Sequence, residues 1–363
     1  MKRVLTLILA ALMLLSLLAA CGSAGTPATP KPPETVTFKD GAGREVQIPA
    51  DITRVAPSGT VATMFLASVC PDYLVCVGSE PAEAQKAYLA PSVIGLPVTG
   101  QLYGGKSTIN LEALLAAKPQ IIIDLGDFKK GIAEDLDALQ EQVGIPVVFI
   151  QADLEHMAEA FRMLGSLMSG KKDRCEALAA YVEETMSLAE TGREKVPEGD
   201  RVSVMYTTGA SGLGTNAEGS SQAQVIPLVG AVNAIVVEDV TSKGGGNLIN
   251  MEQLYAFDPD IILFSGDSIY DEVAGDASWQ QLRAIQEGKY YEIPERPYCW
   301  MSSPPSMNML LGIRWLGNLL YPEVYAYDMA AEAQRAYKLL WNYDLSQEEA
   351  AELLARSTGK AGG

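Results

Sequence analysis

A segment that occurs twice constrains the fold of this chain most strongly. Residues 109–127 align without gaps with residues 249–267, and ten of the nineteen positions are identical. In both copies an Asn precedes a short helical stretch with a Glu in its first turn, and a Pro follows before an apolar run. Asn caps helix starts, an early acidic residue complements the helix dipole, and helices end near proline. The repeat therefore predicts two structurally duplicated halves.

Strand-length apolar runs alternate with helical stretches along most of the chain. The runs at 121–123 and 147–150 are rich in β-branched residues, which is typical of strands buried on both faces of a parallel sheet. A second series of such runs needs a sheet of its own, and it lies at 202–206, 234–237, 261–264 and 290–293. We therefore predict an α/β protein with two lobes and mainly parallel sheets.

One long helical stretch separates the two series of strands. Residues 171–194 contain no proline and no strand pattern, and about 20 helical residues span roughly 30 Å. We predict a first lobe over residues 35–170, a single linker helix over 171–194 and a second lobe over 195–356. Residues 357–363 are expected to form a disordered tail.

The N-terminus has the pattern of a bacterial export signal. Lys2 and Arg3 precede an apolar run that reaches residue 20, and small residues then meet Cys21 and a glycine, as in a lipobox. We expect residues 1–20 to be removed, Cys21 to be acylated, and residues 21–34 to form a Pro-rich tether. The alternative is an uncleaved membrane anchor with an incidental cysteine.

Charge and composition exclude several classes of function. The 363 residues carry a formal net charge of −18 and the pI is about 4.5, so the chain should repel phosphate backbones and bind no nucleic acid. His156 is the only histidine, and the sequence contains no CxxC spacing and no GxSxG elbow. We therefore expect no bare metal site, no cofactor and no catalysis. Cys70 and Cys76 are close enough in sequence for a disulfide, but buried free thiols are favoured.

A glycine-rich segment matches the phosphate-binding pattern GxxxxGK[ST]. It covers residues 100–107, and Asp124 after an apolar run imitates the metal-holding aspartate of such enzymes. In a P-loop the helix begins at the Gly-Lys-Ser itself, whereas here Thr108 and Ile109 intervene before the Asn110 cap. A ligand-binding loop at the carboxyl end of a strand is therefore preferred, and a nucleotide-binding enzyme is the remote alternative.

Four side chains are candidates for ligand binding. Arg296 and Trp300 lie on one strand-to-helix loop, where charge and aromatic stacking suit a planar or anionic ligand. Tyr206 leads into a glycine-rich loop of the second lobe, and Tyr103 lies in the corresponding loop of the first. The alternative is that Trp300 packs inside its lobe and Arg296 is solvated.

Several segments together resemble one family. Residues 35–49, 53–56 and 315–322, with the twin Asn-x-Glu helices, are similar to the substrate-binding proteins of ABC importers for iron-siderophore, haem and cobalamin. The resemblance runs from about residue 36 to 354. It implies two Rossmann-like lobes joined by one long helix and a ligand cleft between the lobes. It also implies that Glu112 and Glu252 engage arginines of a membrane permease.

The resemblance implies a lipid-anchored, extracytoplasmic, monomeric protein. It would capture a metal chelate and deliver it to an ABC permease and its ATPase. The ligand itself stays open, because relatives with similar glycine-rich loops take nickel chelates or oxyanions such as molybdate. A surface adhesin built on the same two lobes is a further alternative.

Overall fold

A computed structural model describes residues 34–103, 108–242 and 245–358. The predicted signal peptide, Cys21, nearly all of the tether and residues 104–107 of the glycine-rich motif lie outside the described ranges. Within these ranges, no helix has the length and apolar character needed to cross a membrane.

Helices and strands alternate along the described chain. The helices are Thr60–Val69, Glu83–Lys86, Leu111–Ala117, Ile132–Val143, Met157–Leu167, Lys172–Lys195, Val225–Leu228, Met251–Phe257, Arg283–Gln286, Met309–Leu320, Met329–Trp341 and Gln347–Leu354. The strands are β1 (Thr35–Lys39), β2 (Glu45–Pro49), β3 (Val55–Pro57), β4 (Ile121–Gly126), β5 (Val147–Gln151), β6 (Ser203–Thr208), β7 (Gly214–Thr215), β8 (Val232–Asn233), β9 (Asn247–Leu248), β10 (Ile261–Phe264) and β11 (Tyr290–Glu292).

The first lobe is built on a parallel sheet with the order β3-β4-β5. Its central strand is buried on both faces, as the β-branched run at 121–123 predicts. Outside the named strands, Leu74 and Val77 form single parallel bridges, to Val55 and Val98 respectively. The predicted parallel architecture of this lobe is confirmed.

The second lobe has its own sheet, in the order β11-β10-β6-β7-β9 with β8 also paired to β6. The pairs of β6 with β8 and β10, and of β10 with β11, are parallel, whereas β7 is antiparallel to both of its neighbours. The strand predicted at 234–237 is wrong, since the strand there is Val232–Asn233. The Asn233 side chain accepts the N–H of Ile235 at 3.0 Å and thereby ends the ladder.

The repeated segment folds in the same way in both lobes. Asn110 accepts a hydrogen bond from the Ala113 N–H at 3.0 Å, and Asn250 accepts one from the Gln253 N–H at 2.9 Å. Each short helix ends on a left-handed residue and leads through a proline into a central parallel strand. The two lobes are therefore duplicates at this point, as the sequence predicts.

The helix Lys172–Lys195, called the linker helix below, follows the last strand of the first sheet and precedes the first strand of the second. Its 24 residues span about 36 Å. Arg174 near its start donates to the Ser68 carbonyl of the first lobe and to the Leu339 carbonyl of the helix Met329–Trp341. This arginine therefore connects the linker helix to the helix Thr60–Val69 and to the helix Met329–Trp341 by hydrogen bonds.

Two smaller predictions concern the cysteines and the C-terminus. The four cysteines of the described chain are buried and free, which favours the free thiols over a Cys70–Cys76 bridge. Ser357, assigned to a disordered tail, is buried instead, and its carbonyl accepts the Trp315 indole N–H at 2.8 Å. The packed part of the second lobe therefore continues past residue 356.

Candidate functional site

A pocket of about 210 Å³ lies between the two lobes, at the carboxyl end of β4. Pro305 contributes from the second lobe, and every other lining residue belongs to the first: Ser58, Gly59, Thr60, Val61, Ala62, Gln101, Tyr103, Asp124, Leu125, Gly126, Asp127, Lys129 and Ala152. The carboxyl ends of parallel strands are where open α/β sheets bind ligands. This space is called the cleft pocket below.

The cleft pocket continues along the boundary between the lobes. A cavity of about 20 Å³ shares Asp127 and Pro305 with it and is also lined by Gln224 and Met309 of the second lobe. Another, of about 70 Å³, shares Thr60 and reaches Tyr298. Residues from both halves of the sequence therefore line neighbouring pockets along this boundary.

The start of the helix Thr60–Val69 forms one wall of the cleft pocket. No side chain of the described residues caps this N-terminus, so its first N–H groups have no intrahelical or side-chain capping bond there. The position of the cap requires glycine, because a Cβ on Gly59 would lie 2.7 Å from the Gln101 Cβ. Free N–H groups and the positive end of the helix dipole together attract anionic oxygens.

Asp124 lies at the floor of the cleft pocket and is only 4% exposed. Its Oδ1 accepts a hydrogen bond from the Ser58 hydroxyl, and its Oδ2 has no hydrogen-bond partner among the residues that the structure describes. Burial raises the pKa of this carboxyl group, while the Ser58 hydrogen bond and the charges of Lys129 and Arg44 lower it in part. A buried acceptor without a donor is costly, and it therefore marks a place where a ligand can supply one.

Lys129 and Tyr103 also line the cleft pocket and contact each other. The Lys129 Nζ lies 4.6 Å from the centre of the Tyr103 ring and donates to the Asp127 carbonyl at 3.1 Å. The Tyr103 hydroxyl donates to Asp135 Oδ2 at 3.1 Å, and burial raises the pKa of this phenol. The structure places Tyr103 on the pocket wall, where the sequence analysis expects it, and a ligand contact from its ring stays a prediction.

The other three predicted ligand residues lie elsewhere. Tyr206 is 1% exposed, with its hydroxyl 3.0 Å from the Ser302 Oγ, and Trp300 is 0% exposed. These two rings fill the interior of the second lobe, so neither is open to a ligand, and the packing alternative holds for Trp300. Arg296 lies outside the cleft pocket, half exposed, with its Nη1 3.5 Å from Glu352 Oε1.

Of the four predicted ligand residues, Tyr103 alone lines the cleft pocket, and the prediction does not include the buried carboxyl group of Asp124. The signal for Asp124 was present, because a carboxylate interrupts an otherwise apolar buried strand. From the sequence pattern, that carboxylate resembles only the metal-holding aspartate of a P-loop enzyme. That Ser58 and Lys129 face the same space depends on tertiary contacts, for which the sequence carries no local pattern.

A larger cavity, about 560 Å³, lies in the second lobe beside Arg193, Arg201 and Val232. Arg201 precedes the first residue of β6, so this cavity lies at the amino end of the parallel strands. Ligand sites of open α/β sheets lie at the opposite end. The smaller cleft pocket is therefore the better candidate, since it lies between the lobes and has a buried acceptor on its floor.

The two repeat carboxylates lie on the surface. Glu112 and Glu252 occupy equivalent first-turn positions of the duplicated helices, and both are exposed. Among the described residues, no group of three or more His, Cys, Asp or Glu side chains is placed to hold a metal ion. A metal carried by a chelating ligand needs no such group.

Comparison with known proteins decides the family. Residues 74–297, more than half of the chain, match the family model described as periplasmic binding protein. The chain belongs to the periplasmic binding protein family. Together with the two lobes and the connecting helix, this confirms the resemblance and the fold class drawn from the sequence.

The relatives are binding proteins of transporters, in line with the expectation that the chain is not an enzyme. An ABC transporter solute-binding protein from Sulfurospirillum deleyianum is similar in structure with a TM-score of 0.79 and 28% identity, covering 88% of this chain and 99% of that one. The Fe(3+)-citrate-binding protein YfmC of Bacillus subtilis is 21% identical over 58% of this chain, which spans 65% of that relative's length.

Another relative is named for a different ligand, molybdate. The molybdate-binding protein MolA of Haemophilus influenzae is 24% identical over 65% of this chain and 69% of its own. Its molybdate-bound structure shares the fold with a TM-score of 0.68 at 20% identity, covering 86% of this chain and 99% of that one. Relatives of this chain therefore include binders of a ferric chelate and of a bare oxyanion.

Proposed function

We propose that this chain is an extracytoplasmic lipoprotein that captures a small anionic metal chelate between its lobes and delivers it to an ABC permease. The observation that carries the proposal is the cleft pocket, which is lined by an uncapped helix start, by Lys129 and by Asp124 with its buried, unpaired oxygen. Family membership and the Fe(3+)-citrate-binding relative support the same function.

The size of the cleft pocket narrows the class of chelate. Its volume is about 210 Å³, whereas pockets for drug-sized ligands measure roughly 300–1,000 Å³. Haem and cobalamin are larger still, and both fully buried aromatic candidates, Tyr206 and Trp300, are withdrawn from the surface. A compact chelate of the ferric-citrate type fits better than a macrocycle.

An oxyanion is the second candidate ligand. The free N–H groups at the start of the helix Thr60–Val69 suit any small anionic oxygen, and a relative of this chain is named as a molybdate-binding protein. A nickel chelate gains no specific support from the described residues. A chelate with a hydroxyl group or metal-bound water brings a hydrogen-bond donor, whereas molybdate at neutral pH brings none.

Anchoring and docking complete the proposal. The lipobox at residues 18–22 would place a lipid on Cys21, and the Pro-rich tether would hold the monomeric binding lobes near the membrane. Glu112 and Glu252, exposed at equivalent points of the two lobes, would then contact basic residues of the permease. The repeat supports this role, because it places one carboxylate on each lobe.

The test of the proposal is a double charge reversal, Glu112→Arg with Glu252→Arg. In proteoliposomes containing the permease and its ATPase, this variant should bind ferric citrate normally but should no longer stimulate ATP hydrolysis or uptake, because like charges would meet. The matched control is Glu134→Arg with Glu348→Arg, which also reverses one exposed first-turn acid in each half of the chain. Normal uptake with the first variant would contradict docking through this pair.

A further inference from the structure

The helix start and Asp124, which both line the cleft pocket, require opposite hydrogen-bonding groups from a ligand. The start of the helix Thr60–Val69 offers N–H donors, which require acceptor oxygens. Asp124, buried to 96% of its surface, offers the lone pairs of Oδ2, which require a donor. A ligand that satisfies both must be an anion that also carries a hydrogen.

We propose that the cleft pocket selects small anions that bring their own hydrogen-bond donor, and that Asp124 is the acceptor that enforces this choice. Two chemical types qualify: a chelate with a hydroxyl group or metal-bound water, and an oxyanion that keeps a proton. This inference rests on the proposed function and names the ligand class for the same site. It ranks the donor-bearing chelate above a proton-free oxyanion such as molybdate at neutral pH.

The surroundings of Asp124 do not neutralise its charge by direct contact. Arg44 is paired with Asp40 and Asp137, each at 2.8 Å, and the Lys129 Nζ bonds to the Asp127 carbonyl at 3.1 Å. Both cations act on Asp124 only through space. A dianion without a proton that entered the pocket would therefore be repelled by any negative charge that Asp124 carries, because no cation is bonded to this carboxyl group among the described residues.

A proton-free anion can bind only if Asp124 takes up a proton first. Burial already raises the pKa of Asp124, against the Ser58 hydrogen bond and the charges of Lys129 and Arg44, and a bound dianion would raise it further. Burial, and after it the charge of Asp124, raises the pKa of the Tyr103 phenol on the same pocket. The affinity for sulfate, which takes up no proton at neutral pH, should therefore rise as the pH is lowered.

The test compares two ligand classes on the purified mature protein by titration calorimetry at pH 7.5. Ferric citrate and hydrogen phosphate carry a donor, whereas molybdate and sulfate do not. The wild type should bind the better donor-bearing probe at least tenfold more tightly than either proton-free probe, as a charge-assisted hydrogen bond allows. Sulfate binding to the wild type should also take up about one proton, measured in buffers of different ionisation enthalpy.

The variant Asp124→Asn replaces the acceptor by an amide that can donate. It keeps an oxygen for the Ser58 hydroxyl, and it should invert the preference by weakening the donor-bearing probes about tenfold or more and strengthening molybdate and sulfate. Asp127→Asn is the matched control, because it removes one negative charge from the exposed rim of the same pocket. It should change both classes in the same direction and leave their ratio within about twofold.

Two results would overturn the inference: an affinity ratio that Asp124→Asn leaves unchanged, or tight sulfate binding by the wild type without proton uptake. Either would leave solute capture and docking intact, which the Glu112 and Glu252 variant tests separately through ATPase stimulation. Failure of the wild type to bind any of the four probes would count against both proposals. Because the wild-type pH profile needs no variant, the inference stays testable even if Asp124→Asn folds poorly.

Discussion

Replacing Arg314 by methionine should remove a buried set of ion pairs and hydrogen bonds between helices. Its side chain is 4% exposed, and it joins the helix Met309–Leu320 to the linker helix. The Nε donates to Thr185 Oγ1 at 2.9 Å, and the Nη2 donates to Glu184 Oε1 at 2.9 Å. The guanidinium also lies 4.8 Å from the Tyr181 ring centre and 3.3 Å from Glu332 Oε1.

The expected loss in free energy of unfolding depends on the buried polar groups that would lose their partner. Arg314→Met keeps most of the apolar stem but leaves the Thr185 hydroxyl and the largely buried Glu332 carboxylate without this cation. Removing one partner of a buried ion pair typically lowers the free energy of unfolding by about 3–5 kcal/mol. Since Glu332 also accepts from the Tyr181 hydroxyl at 3.0 Å, we expect the lower part of that range, about 3 kcal/mol.

Arg162→Met is the matched control on the opposite side of the linker helix. Arg162 also bonds two of its carboxylates, Glu176 at 3.0 Å and Glu183 at 2.7 Å, but all three side chains are solvent-accessible. Exposed pairs of this kind contribute about 0.2–1 kcal/mol. Urea unfolding followed by circular dichroism gives both differences. If both variants lose the same free energy of unfolding, and this loss is below about 1 kcal/mol, then burial does not strengthen the Arg314 interactions.

Four further predictions concern the anchor, the core, the pH response and the motion. Cys21→Ser should move the protein from the detergent phase to the aqueous phase in a phase-separation assay, and continued recovery of an acylated form would contradict the lipobox. Trp300→Ala should lower the free energy of unfolding by about 3–5 kcal/mol, because the ring is fully buried, and an unchanged urea midpoint would contradict this. Arg335, with a smaller contribution from Arg314, lowers the pKa of Glu184 to about 2. The stability from this carboxylate should therefore be complete above about pH 4.5 and disappear as the pH falls towards 2, as acid titration of the urea midpoint would show. Ferric citrate should change the radius of gyration in solution scattering only slightly, since the linker helix contains no proline, and a large compaction would contradict a stiff linker.

Most of the fold was predictable because it depends on local patterns. The strand Ile261–Phe264 has the bounds that its apolar run predicts. The repeat also predicts that two distant segments have the same structure, which local hydrophobic patterns alone do not predict. The strand expected at 234–237 was misplaced because a side-chain hydrogen bond from Asn233 decides where the ladder ends.

The site was less predictable, and aromatic residues show why. Three aromatic residues adjoin loops at strand ends, namely Tyr103, Tyr206 and Trp300. The sequence pattern therefore predicts a ligand contact equally for each of them. Only tertiary packing separates the pocket residue Tyr103 from the two buried rings. The unpaired oxygen of Asp124 is likewise invisible in sequence, because it reflects which donors the folded chain fails to bring near.

The central claim is that the solute binds between the lobes, and a crystal structure with ferric citrate tests it most directly. Collected at the iron absorption edge, the anomalous difference map should show one peak in the cleft pocket, between Gly59 and Pro305. A citrate hydroxyl or iron-bound water should lie within hydrogen-bond distance of Asp124 Oδ2. A peak instead in the larger cavity beside Arg193 and Arg201 would contradict the account.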